Sequence, residues 1–312
     1  MNGVDERPAL RALGVGEIFD RAVTIYVRNI AVFTLIVLTL LVPVSILQYV
    51  YAGDSAFDFK EVMQQVQHPG QGAVAPYDTA QLAAILIIAF IALLLAPFTN
   101  NAVAVGVASI YAGRAPSYRD GFARVLRRWA PLLGSTILCG LILAGAYVGL
   151  VLFIMIAAVI AALLVQAVHA LGIPLILIGT LVAFALLLVF MLIVVCCAFA
   201  FYATTLEDRN PSDAIGDAFR RIFNRREIRK AGLITLAYVA IEFGASLLTL
   251  SVSFGIGYYL HSVMLAVVFT TLVNAVLAGF VTVLLAVYYY DVRTRSEGLD
   301  LEVALERLTA PS

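Results

Sequence analysis

One side chain in this sequence sits where a charge is costly. Glu242 is the only charged residue in an apolar run from about Gly232 to Ser253, and a charged acid at the centre of a bilayer costs on the order of 3 kcal/mol. Lys230 precedes it by about 18 Å of helix at 1.5 Å per residue, which sets Glu242 near mid-membrane. Helical spacing places Thr235, Tyr238, Glu242, Ser246, Thr249 and Ser253 on one face of that run. The last apolar run has a matching face of Thr271, Asn274, Ala278 and Thr282, and Asn100 and Asn101 follow Pro97 in the second. Glu242, Asn274, Tyr238, Ser246, Thr271, Asn100 and Asn101 thus form the candidate intramembrane polar site. Two roles fit it. A protonated Glu242 could bond Asn274, at similar depth, as glue between helices, or the group could line a polar cavity for a substrate, proton or lipid headgroup.

No other constellation suggests catalysis. His68, His169 and His261 are isolated, and Cys139, Cys196 and Cys197 lie inside apolar runs without metal-ligand spacing. Neither a zinc-protease, a serine-hydrolase nor a phosphate-loop motif occurs. No catalytic, cofactor-binding or metal-binding set is expected, and zero net charge gives no nucleic-acid footprint.

The elements that must hold these residues follow from composition. Of the 312 residues, 62% are hydrophobic and 13% charged, about half the charged share of a soluble domain. Apolar runs long enough to span a bilayer recur, and a helix satisfies its own backbone in lipid. The spans read as Ile30–Val50, Leu82–Ile110, Leu132–Val165, Leu171–Phe201, Gly232–Ser253 and Ser262–Tyr290. Residues 132–206 could hold three shorter spans by length. Two long ones joined at Gly172 and Pro174 keep the charge pattern consistent. The expected fold is an all-α polytopic membrane protein of six transmembrane helices. It forms a single membrane domain over 1–312: an amphipathic segment (1–29), a six-span bundle (30–290) and a tail (291–312).

Basic residues set the orientation. Nineteen of the 20 fall in the N-terminal segment, the loops after spans two and four, and the tail; Lys60 alone lies after span one. The positive-inside rule puts both termini and those two loops in the cytoplasm, which implies a bacterial cytoplasmic (inner) membrane protein. Three stretches, each ahead of an odd-numbered span, repeat the apolar spacing i, i+4, i+7, i+8: Ile18, Ala22, Ile25, Tyr26; Tyr118, Phe122, Val125, Leu126; and Ile215, Phe219, Ile222, Phe223. The second and third follow Pro116-Ser117 and Pro211-Ser212, each with a Gly five residues after its Pro (Gly121, Gly216). This predicts cytoplasmic surface helices and a threefold internal repeat. Arg124, Arg127, Arg128, Arg220, Arg221, Arg225 and Arg226 are the candidate contacts to anionic lipid headgroups. The rival arrangement packs the helices on each other beneath the membrane.

The segments LGVGEIFDRAVTIYVRN at 13–29 and YYYDVRTRSEGLDLEVALERL at 288–308 resemble the bacterial glycerophosphoryl diester phosphodiesterase membrane-domain family. The resemblance implies a helical membrane domain over nearly the whole chain. In some members that domain is fused to a soluble phosphodiesterase with a His-Arg start and paired Glu residues. That pattern is absent here, so no catalytic residue carries over. The functional expectation is a non-catalytic membrane scaffold or partner-binding module, with a protein partner at the cytoplasmic face; the alternative is a transporter or lipid-handling protein built around Glu242.

Overall fold

A computed structural model describes residues 13–52, 79–167, 172–225, 227–260 and 262–297. Among them, the regular elements are nine helices: α1 (Val15–Arg28), α2 (Ile30–Ala52), α3 (Thr79–Tyr111), α4 (Tyr118–Arg127), α5 (Trp129–Ala167), α6 (Gly172–Leu206), α7 (Pro211–Ile222), α8 (Ile228–Leu260) and α9 (Val263–Glu297). Six of them, α2, α3, α5, α6, α8 and α9, are long and apolar enough to cross a bilayer. Large apolar side chains such as Leu181, Leu250 and Phe243 are exposed along them, as expected of surfaces solvated by lipid chains. The chain has the build of a multi-pass helical membrane protein.

Residues 132–206 fall in two long helices, not three. α5 has 39 residues and α6 has 35. Pro174 does not end a helix; it sits in the first turn of α6, where no intrahelical N–H is needed.

The short helices start by different means. The Gly14 N–H donates to Glu17 Oε2 at 2.8 Å at the head of α1. The Ser117 hydroxyl accepts from the Asp120 N–H ahead of α4. Asn210 stands at the cap position of α7 without a side-chain cap bond, and Pro211 is the first residue of the helix, so the two Pro-Ser pairs enter their helices two residues out of step. Two residues past the ends of α3 and α6, Gly113 (φ 74°) and Asp208 (φ 56°) take the left-handed conformation. There the Arg114 N–H reaches back to the Ser109 carbonyl at 2.8 Å and the Arg209 N–H to that of Ala203 at 3.4 Å. Glycine adopts this backbone freely and aspartate more readily than bulkier residues.

Contacts divide the chain into two compact units, one of residues 1–129 and 241–312, the other of 130–240. In the first, α9 packs on α2 and α3, α2 packs on α3, and α1 and α4 lie against α9 and α3 respectively. α1 buries Ile18, Ala22, Ile25 and Tyr26. The Tyr26 hydroxyl donates to the Val276 carbonyl at 2.7 Å, and burial pushes its phenol up from the ordinary range. A Cβ on Gly279 would stand 3.1 Å from the Tyr26 ring. α4 approaches α3 more closely still: a Cβ on Gly121 would lie 2.9 Å from the Ala102 carbonyl oxygen. In the second unit, α7 folds back on α6, burying Ala214, Ala218 and Ile222.

Candidate functional site

The polar stripe of α9 meets α2 and α3. Thr271 Oγ1 lies 2.8 Å from Ser45 Oγ and 2.7 Å from the Val267 carbonyl. Lower down, Thr282 Oγ1 donates to the Ala278 carbonyl at 2.8 Å and lies 3.4 Å from the Asn100 amide. A hydroxyl has one proton. It points at the Ala278 carbonyl, with Asn100 Oδ1 as the longer second acceptor. Asn101 is fully buried, and its amide nitrogen donates to the Pro97 carbonyl at 2.7 Å. Its Oδ1 is buried without a hydrogen-bond partner among the described residues. Asn100 and Asn101 thus face different ways from one turn of α3.

Two hollows flank the Ser45–Thr271 contact between α2 and α9. One, of about 470 Å³, is lined by Leu38, Val42, Ile46, Met264, Val268 and Leu272 beside the shared Ser45, Tyr49, Val267 and Thr271. The other, of about 220 Å³, shares those four and adds Gln48, Thr270 and Asn274. Asn274 therefore opens onto Ser45 and Gln48 of α2. Glu242 is exposed on α8. Among the described residues, no hydrogen bond or ion pair engages its carboxyl. Ser246, one turn on, gives its hydroxyl to the Glu242 backbone carbonyl at 2.8 Å. Tyr238 is half-buried and belongs to the other compact unit.

A second polar constellation lies one residue past the span boundary read from sequence. Asp291 is 2% exposed. Its carboxylate accepts the Leu13 N–H at 2.6 Å and pairs with Arg295 Nε at 3.2 Å, while Arg295 Nη2 donates to the Leu13 carbonyl at 2.6 Å. The Tyr111 and Tyr290 rings stack obliquely beside it, centroids 4.8 Å apart. The signal in the sequence is an acid four residues before a base at a helix end, in the second of the two segments that carry the family resemblance. The first segment begins at Leu13, so the clasp joins the two.

In the second unit, Glu207 at the end of α6 takes Arg221 of α7 in a two-pronged pair at 3.0 and 3.2 Å, with both side chains largely buried. Ser135 and Thr204 hydroxyls meet at 2.8 Å between α5 and α6. Arg221 is therefore engaged inside the protein. Arg220 is 84% exposed and 3.8 Å from Asp217. Arg127 and Arg225 are exposed, Arg124 and Arg128 half-buried, and Arg226 lies outside the described residues. The second and third amphipathic faces read from sequence are only partly turned inward. α4 buries Gly121 and Val125, leaving Tyr118 and Leu126 exposed; Phe223 is likewise exposed after α7.

These clusters hold helices together and shape two hollows. Among the described residues no three His, Cys, Asp or Glu side chains are grouped to hold a metal ion. Over residues 4–297 the chain matches the family described as Domain of unknown function (DUF8558). No curated protein and no solved structure matches it.

Proposed function

The chain belongs to the DUF8558 family, and from that premise we propose that it is a non-catalytic integral membrane scaffold. Its short arginine-bearing helices lie on the anionic inner surface of a bacterial cytoplasmic membrane and offer that face to a protein partner. The observation that carries this reading is how α4 turns. Its glycine face seats on α3; outward it leaves Leu126 and the following Trp129, 59% and 56% exposed, beside exposed Arg127. An apolar rim flanked by arginines is the form of a helix lying in the headgroup region. Phe223 beside Arg220 and Arg225 repeats the arrangement after α7.

The proposed threefold repeat fits the same picture. Ala112-Gly113-Arg114-Ala115-Pro116-Ser117 and Glu207-Asp208-Arg209-Asn210-Pro211-Ser212 align without a gap, with the left-handed residue at the same place. Asp291-Val292-Arg293-Thr294-Arg295-Ser296 shares the third-position Arg and the closing Ser with them and continues as helix. Each of α3, α6 and α9 carries one short helix on its flank: α4, α7 and α1. The alternative, a transporter or lipid-handling protein, rests on Glu242, whose carboxyl is exposed on α8.

Trp129 is the only tryptophan, which makes the test direct. In anionic vesicles, a quencher fixed near the headgroups should dim the intrinsic tryptophan emission more than one fixed at mid-chain. Stronger quenching from mid-chain, or emission indifferent to lipid-borne quenchers, would sink the interfacial reading.

A further inference from the structure

The paired hollows between α2 and α9 lie toward the ends of those helices away from the Leu13–Asp291 clasp. The larger is lined almost wholly by apolar side chains, and Ile46, Val268, Leu272 and Met264 on its walls are themselves exposed. At about 470 Å³ it falls within the size of ligand sites, about 300–1,000 Å³. The smaller adds two amides, Gln48 and Asn274, and the Thr270 hydroxyl. The two share Ser45, Tyr49, Val267 and Thr271, so one molecule can reach both. Among the described residues, no Asp, Glu, Lys, Arg or His lines either.

We propose that this pair of hollows is a binding site for one membrane glycerolipid, with an acyl chain in the apolar groove and its uncharged glycerol-ester region held by Gln48 and Asn274.

Three features select that occupant. The walls lie on membrane-crossing helices, where lipid is the surrounding solvent. Amide groups donate and accept, matching ester carbonyls and free hydroxyls. With no basic side chain among the described lining residues, none of them draws a phosphate in preference to the ester zone. The site is separate from the arginine-bearing helices of the proposed scaffold and stands or falls independently of them.

The test uses the full chain reconstituted in vesicles carrying a glycerolipid with a photoreactive acyl chain. A second preparation carries a photoreactive alkane of the same length without a headgroup. After illumination, mass spectrometry should find glycerolipid adducts concentrated on 38–49 and 264–272, above exposed apolar positions such as Leu181 and Leu233. Val268→Trp, which fills the groove from its exposed rim, should remove adducts of both probes there. Gln48→Leu with Asn274→Leu should lower glycerolipid adducts by about tenfold, the loss of two neutral hydrogen bonds, and leave alkane adducts in place. In the unaltered protein, added unlabelled glycerolipid should displace the alkane from the groove, a readout that needs no variant. Labelling equal to that of other exposed surfaces would overturn the site. So would glycerolipid labelling indifferent to the amide pair.

Discussion

Replacing Asp291 by Ala tests whether the clasp at Leu13 holds the start of α1 on α9. The buried carboxylate accepts a backbone N–H at 2.6 Å, and a hydrogen bond to a charged group contributes about 1.5–3 kcal/mol. Its pair with Arg295 adds little, because the Arg295 side chain is 35% exposed and such pairs contribute at most about 1 kcal/mol. The expected loss is about 2–4 kcal/mol of local stability, or roughly thirty- to several-hundred-fold faster amide exchange where opening is local. The effect should be confined to the first turn of α1. Beyond it, Ile18, Ala22, Ile25 and Tyr26 keep their burial, and Tyr26 keeps its bond to Val276. Arg295→Met should cost less, since Leu13 N–H keeps its acceptor. Hydrogen exchange of the detergent-solubilised protein, read by mass spectrometry on peptides from α1, reports this directly. Unchanged exchange in Asp291→Ala would refute the reasoning. Exchange accelerated equally through α2 would show that the carboxylate supports the whole unit and not one helix end.

Other substitutions separate residues that look alike in sequence. Gly121→Ala should lower the thermal midpoint, because its Cβ would meet the Ala102 carbonyl at 2.9 Å; overpacking of this kind costs about 1–3 kcal/mol. Gly216→Ala, with nothing within 4 Å of its Cβ, should raise the midpoint by the helix propensity gained, about 1 kcal/mol. Arg221→Met should destabilise by up to about 3 kcal/mol by leaving the buried Glu207 without its two-pronged partner and with only the longer contact to Arg209 Nε at 3.7 Å, whereas Arg220→Ala should stay within about 0.5 kcal/mol; chemical denaturation of both variants checks the contrast. Reporter fusions after residues 65, 120, 168, 220, 258 and 312 should read out, in, out, in, out, in; a cytoplasmic signal at 65 or an external one at 220 would reverse the proposed orientation.

The spans were legible because lipid imposes one rule on every residue of a helix: apolar side chains over some 20 positions. Six runs were expected and six long apolar helices are present. The face of α1 was legible too, since Ile18, Ala22, Ile25 and Tyr26 are the residues buried. For α4 and α7 the residues of the same spacing divide between buried and exposed. A short helix beside a membrane has two apolar neighbours, protein and lipid. Periodicity marks the combined apolar arc without dividing it between them. What divides it is size: Gly121, Ala214 and Ala218 go inward where backbones approach closely, and Tyr118, Leu126 and Phe223 stay out. Asp291 was passed over because a carboxylate at a span end looks solvated. Its burial depends on Leu13, 278 residues away in the chain.

The polar stripe of α9 shows the same limit. Thr271, Asn274 and Thr282 share a face by helical spacing alone, but the helix they face is a tertiary fact. A short loop makes α8 the obvious candidate. In the structure α2 and α3 supply the partners, through Ser45 and Asn100, and Asn274 opens onto Gln48. This changes what Glu242 can be asked to do. The amide assigned to it from sequence borders a hollow on α2 instead, and its own carboxyl is exposed on α8. Any role for that acid, as an anchor for a partner helix or as a group on a transport path, therefore turns on what lies against the outer surface of α8. The α2–α9 seam has its own polar groups and an opening to lipid, and neither depends on Glu242.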